Sequence, residues 1–155
     1  MSTNLGSLLS ESQVIPSLKA GNRWEAIEEL VDVLKSTGKI KADYRDGIIG
    51  AIRKRENSMS TGIGHGVGIP HASTDLVTEI TGAFGRSLKG VEFDSADGQP
   101  VSLVVLLLVP QKQFQQHLNT VSGIAKMFSG EAFRKTLLQA PDAPALLQAI
   151  RNPLP

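Results

Sequence analysis

The stretch Val101 to Val109, Val-Ser-Leu-Val-Val-Leu-Leu-Leu-Val, constrains the fold more than any other part of the chain. From Leu103 onward every position is apolar, so a strand here sends hydrophobic side chains to both faces of its sheet and needs cover on both. The apolar run is about a third of the ~20 residues that a membrane-crossing helix requires. Ser102 and Pro110 bound it. It reads as a central buried strand entered through a polar turn at Asp97-Gly98, in a sheet that must carry helices on each side.

Helices to supply that cover are legible before and after it. Trp24, Ile27, Leu30, Val31 and Leu34 recur at helical spacing, with Asn22 as the cap, Glu25 three residues on and Gly38 at the close. A second stripe, Tyr44, Ile48 and Ile52, follows Asp43 and ends at Arg55-Glu56. Beyond Pro110, the residues Phe114, Leu118, Val121, Ala125 and Phe128 fall on one stripe. His117 lies about 60° from Phe114 at ~100° per residue, on the margin of that face. Shorter helices are expected around Phe133 to Leu138 and, after Asp142, over Ala145 to Ile150. Strand-like stretches cover Glu79 to Ser87 and Val91 to Phe93. The expected fold is α/β (α+β), a mixed central sheet flanked by helices on both faces, in a single domain over residues 1–155.

Between the second helix and the first strands lies Thr61 to His71, Thr-Gly-Ile-Gly-His-Gly-Val-Gly-Ile-Pro-His, with glycine at 62, 64, 66 and 68. That glycine density excludes a helix. His65 and His71 sit in a backbone almost stripped of side chains, with Pro70 fixing φ just before His71, which favours exposed and approachable imidazoles. Main-chain N–H groups of Gly62, Gly64, His65, Gly66 and Gly68 could come close to an anion such as phosphate. The same residues also fit a glycine-rich loop packed on a neighbouring element with both histidines in solvent. By themselves, His117 fits a helix-margin histidine and Arg55 a solvated charge at a helix end. A zinc site built from the three histidines and a carboxylate such as Asp75 is a further alternative, although His65 and His71 show no recognised ligand spacing.

Composition narrows the chemistry. Sixteen basic against fifteen acidic residues leave a net charge of +1, too little positive field for a nucleic-acid binder. Cysteine is absent, so disulfides, thiolate metal sites and catalytic thiols are excluded. No dinucleotide fingerprint, P-loop, Gly-x-Ser-x-Gly or His-Glu-x-x-His occurs. The first residues, Met-Ser-Thr-Asn-Leu-Gly, do not read as a signal peptide, so no membrane insertion is expected and a cytoplasmic location is.

Three blocks in order carry a resemblance. Arg55-Glu56 followed by Ser60-Thr-Gly-Ile-Gly-His-Gly-Val-Gly-Ile-Pro-His71 resembles the phosphorylation-site signature of the fructose/mannitol-type (type 2) enzyme IIA domains of the sugar phosphotransferase system. The segment from Gly90 to Pro110 resembles that family's second hallmark, and His117-Leu118 stands where its second histidine does. The resemblance implies a phosphocarrier that needs no cofactor and no metal, and that is not a metabolite-converting enzyme. His71 would accept a phosphoryl group from the phosphohistidine of an HPr-type donor, as a tele-phosphohistidine candidate, with His117 in support and Arg55 neutralising phosphoryl oxygens. Its acceptor would be a IIB component or a regulatory target protein. The Ser-Thr-Gly-Ile-Gly run resembles the nitrogen-regulatory subgroup somewhat more than the transport subgroup, although His65 stands where asparagine is often found.

Overall fold

The structure is a computed structural model and describes residues 4–153. The first three residues of the N-terminal stretch read above, the last two of the chain, and the side chain of Phe114 lie outside the described residues.

The apolar run forms the hub. Strand β6 (Val101–Pro110) has β5 (Thr81–Val91) antiparallel on one side and, parallel on the other, β3 (Val67–Gly68) and β4 (His71–Thr74). Beyond β5 lies β1 (Val14–Ile15), parallel to it; beyond β3 lies β2 (Gly62–Gly64), antiparallel. Leu103 to Val109 are no more than 1% exposed, so both faces of β6 are covered as the sequence requires. Val104, Leu106 and Leu108 point to one face, where helices α2 (Arg23–Ser36) and α3 (Arg45–Ser58) bury Ile27, Leu30, Leu34, Ile48 and Ile52. Leu103, Val105, Leu107 and Val109 point to the other, under α4 (Phe114–Phe128), α5 (Glu131–Gln139) and α6 (Ala143–Arg151). The mixed sheet between two helical layers matches the expected architecture.

Local chemistry sets the helix ends. Asn22 Oδ1 accepts from the Glu25 backbone N–H at 3.0 Å, and Gly38, with φ +76°, closes α2. Asp142 caps α6 through Ala145 N–H. Trp24 is only half buried and stacks under the guanidinium groups of Arg23 and Arg53.

The N-terminal elements were not foreseen. Helix α1 (Leu5–Leu8) and β1 are too short to leave a periodic signal, and distant side chains hold them in place. Gln13 Nε2 donates to Leu8 O and Gly82 O, and Arg151 donates to Gly6 O and Leu9 O. Of the two strand-like stretches expected after Glu79, the first falls in β5, which runs on through Gly90 to Val91 with a register shift between Arg86 and Val91 where Gly90 takes φ +87°; of the second only Val91 is in the strand, and Glu92 makes an isolated bridge to Asn22.

The glycine-rich segment is a miniature hairpin. Its two turn residues, His65 at φ +58° and Gly66 at φ +76°, have the paired positive angles of a tight β-turn whose twist suits flanking strands. At Gly62 a Cβ would stand 2.3 Å from Ser95 Oγ and 2.9 Å from Ser95 Cα, so close approach of two chains accounts for that glycine. After Ile69-Pro70 the chain rejoins β6 without changing register: Val67 is opposite Leu103 and His71 opposite Leu107. Strands β3 and β4 are thus one strand interrupted at the proline, and His71 is the first residue after the interruption.

Candidate functional site

Strand β4 carries the site on one face. His71 and Ser73 alternate with Ala72, which joins the core under α2 and α3, so they project to the opposite side, where α4 begins. A cleft of ≈ 590 Å³ opens there between the C-terminal end of α3 and the start of α4, lined by Lys54, Arg55, His71, Ser73, His117 and Leu118. Three elements distant in sequence therefore bring Arg55, His71 and His117 together.

His71 differs from the exposed imidazole expected of the glycine-rich stretch: it lies in a strand and is 8% exposed. Its Nδ1 is 2.7 Å from Ile69 O. A carbonyl oxygen can only accept, so Nδ1 carries the proton and Nε2 keeps its lone pair in the neutral ring. Burial pushes the His71 pKa down to about 4, partly opposed by the Ile69 hydrogen bond and reinforced by the charge of Arg55. At neutral pH the ring is an uncharged base with a defined tautomer.

His117 is also 8% exposed, and Ser73 Oγ is 2.6 Å from its Nδ1. Its pKa is lowered, mainly by burial and further by Arg55. The two imidazoles meet edge to face, with ring centroids 4.9 Å apart and planes at 83°. This contact turns α4 from the orientation that its apolar stripe suggests. His117, Thr120, Ile124 and Phe128 face inward, Val121 and Ala125 are half buried, and Leu118 is 46% exposed at the cleft. The polar pair on β4 accepts a histidine where an all-apolar face would have placed a leucine.

Arg55 and Glu56 part company at the end of α3. Arg55 is half buried and donates through Nη1 to Met59 O at 2.9 Å, leaving the rest of its guanidinium available to the cleft. Glu56, 1% exposed, turns inward: it accepts from Thr61 N–H at 2.8 Å and from the Thr61 hydroxyl, and pairs with Arg23 Nη1 at 3.1 Å. The buried carboxylate ties the end of α3 to the start of the hairpin, fixing where Arg55 stands relative to His71.

Gly62, Gly64, Gly66 and Gly68 are not among the residues lining the cleft, and neither is His65, whose backbone N–H donates to Asp97 Oδ2 at the exposed turn. Among the described residues, no group of three or more His, Asp or Glu side chains converges as a metal-ligand set. Asp75 instead faces the side-chain amide of Gln111 at 2.6 Å. The residue missed from sequence is Ser73. Its signal was there, because a residue two places from a histidine on a strand shares its face.

The pKa of His71 makes a measurable prediction. In the unfolded chain it titrates near 6.5 and in the folded protein near 4, so between these values the unfolded state binds more protons. Stability therefore falls as pH drops through that window, and for this residue it is about 2 kcal/mol lower at pH 4.5 than at pH 7. Urea unfolding at both pH values should show a smaller acid loss for His71→Gln than for wild type; equal losses would contradict a buried neutral His71.

The chain is thus a mixed sheet between two helical layers with a cleft at the sheet edge that brings two histidines and an arginine together. Residues 7–152 match the family described as phosphoenolpyruvate-dependent sugar phosphotransferase system, EIIA 2, and the chain belongs to it. A fructose-specific EIIA component from Haloferax volcanii is 39% identical over 125 residues, 81% of this chain and 77% of that protein. A nitrogen regulatory protein from Bradyrhizobium diazoefficiens is 30% identical over 146 residues, 94% of each chain. The crystal structure of nitrogen regulatory protein IIA-Ntr from Neisseria meningitidis superposes with a TM-score of 0.86 at 31% identity, over 96% of this chain and 99% of that one. The family read from the Arg-Glu, glycine-rich and second-histidine blocks is thereby borne out, with relatives of both its transport and its regulatory type.

Proposed function

We propose that this protein is a phosphocarrier whose His71 takes a phosphoryl group from an HPr-type donor and surrenders it to, or signals with it toward, a downstream protein. The observation that carries this is the hydrogen bond of His71 Nδ1 to Ile69 O, which supports Nε2 as the nucleophile in a cleft shared with Arg55 and His117. Nε2 attacks phosphorus in line. The new N–P bond forms as the donor's N–P bond breaks, and the electron pair of that bond returns to the donor imidazole. Positive charge that develops on the His71 ring is offset through Nδ1–H and Ile69 O. Such a transfer needs positioning and neutralisation of the phosphoryl oxygens more than further covalent chemistry, and Arg55 with an N–H of His117 supplies both.

Arg55→Ala should slow single-turnover transfer by roughly 10²-fold without abolishing it, as loss of one preorganised donor does elsewhere. A rate equal to wild type in rapid-quench measurements would take Arg55 out of the site.

Two outputs are supported by separate observations. The match to a nitrogen regulatory protein over 94% of each chain, with the Ser60-Thr-Gly-Ile-Gly run, favours a regulatory output. The higher identity to a fructose-specific component favours transfer to a IIB component of a transporter. Mixing the phosphorylated protein with a fructose-type IIB domain separates them: rapid discharge supports transport, and a phosphoryl group retained over many minutes supports regulation. No helix among the described residues is long and apolar enough to cross a membrane. The proposed donor chain would place the reaction in the cytoplasm.

A further inference from the structure

We propose that Ser73 is a positioning residue for the phosphoryl site: its hydroxyl donates to His117 Nδ1 and so holds the proton of that ring on Nε2. The inference rests on the phosphocarrier reading and adds to it the group that sets the polarity of the second histidine.

Ser73 Oγ and His117 Nδ1 are 2.6 Å apart across 44 residues of chain, and both side chains line the cleft with His71. Ser73 is carried by the same short strand as His71 and faces the same side, so one rigid element presents the acceptor and the residue that orients its neighbour. The two histidines are held differently. Ile69 O can only accept, and it dictates the tautomer of His71; a hydroxyl can donate or accept, and the chemistry of the guest decides its role at His117.

Phosphoryl oxygens only accept hydrogen bonds. A neutral imidazole has one N–H, and with Nδ1 facing Ser73 that N–H helps a phosphoryl group only when it is on Nε2. Were Ser73 to accept, the proton would sit on Nδ1 and a lone pair on Nε2 would confront the oxygens. Burial and the neighbouring Arg55 charge both favour the neutral His117 ring to which this reasoning applies. The hydroxyl keeps one further property that a methyl group lacks: it can rotate to accept if His117 gains a proton.

Long-range ¹H–¹⁵N spectra of the unphosphorylated protein at pH 7 read the tautomer directly. Wild type should show His117 protonated on Nε2. Ser73→Ala should mix the tautomers and lower the single-turnover transfer rate about tenfold, the value of one neutral hydrogen bond. Ser73→Thr, which keeps the hydroxyl, should restore both readouts. A wild-type His117 protonated on Nδ1, or a Ser73→Ala protein with unchanged tautomer and rate, would overturn the role of Ser73. The tautomer needs no phosphorylation, so a wild-type protein that takes no phosphoryl group overturns the carrier reading by a separate result.

Discussion

A His71→Ala protein is expected to fold, to melt within a few degrees of wild type, and to accept no phosphoryl group from phospho-HPr. The loss of acceptance is complete because the nucleophile is gone and the other imidazole in the cleft, His117, faces Ser73 with Nδ1 and in this account carries its proton on Nε2, which leaves that nitrogen no lone pair to attack phosphorus. The fold survives because His71 lies at the sheet edge and its removal leaves one carbonyl, Ile69 O, without that side-chain partner, worth about 1 kcal/mol. Intact-mass measurement after incubation with phosphoenolpyruvate, enzyme I and HPr reads the first half; thermal melting reads the second. A variant that still gains a phosphoryl group would move the acceptor elsewhere, and one that fails to fold would make His71 structural.

The largest effect on stability is expected at Glu56. Replacing it with alanine strips the Thr61 N–H and hydroxyl of their buried acceptor and removes the partner of Arg23. Breaking a buried pair in this way costs about 3 kcal/mol, or roughly 10 °C in melting temperature for a chain of this size. Arg23→Ala keeps both bonds to Thr61 but leaves the 1% exposed Glu56 carboxylate without its cation, so it should cost less than Glu56→Ala only by the worth of those two bonds. Because Glu56 joins α3 to the hairpin that leads into β4, its loss should also slow transfer by loosening Arg55 relative to His71. Equal destabilisation by the two substitutions would show that the ion pair, not the bonds to Thr61, holds this junction.

Much of this was legible in the residues. The apolar positions from Leu103 to Val109 demanded cover on both faces and received it, one alternating set from α2 and α3 and the other from α4 to α6. Asn22, Gly38 and Asp142 punctuate helices where capping chemistry places them. What escaped was tertiary. Helix α1 and β1 exist because Gln13 and Arg151 reach them from outside, and no window of local sequence contains both partners. The α4 stripe was misjudged in phase because Leu118 is apolar and His117 is not. A polar strand face and an open cleft reversed the order that hydrophobicity alone assigns.

The glycine-rich segment shows the same limit. Its composition ruled out a helix, and its anion-cradling potential followed from exposed N–H groups. The folded chain spends those glycines on a tight turn and on the approach of Gly62 to Ser95, and they do not line the cleft. The segment serves His71 by geometry: it returns the chain to β6 in unbroken register, so that Ile69 O and His71 Nδ1 meet.

The central claim is that Nε2 of His71 is the phosphoryl acceptor because Nδ1 is held by a carbonyl. Long-range ¹H–¹⁵N and ³¹P spectra of the enzymatically phosphorylated protein test it most directly. The account predicts a single acid-labile phosphoryl group on Nε2 of His71, with Nδ1 still protonated. A phosphoryl group on Nδ1 of His71, on His117 or on His65, or no phosphorylation with a matched donor, would contradict it.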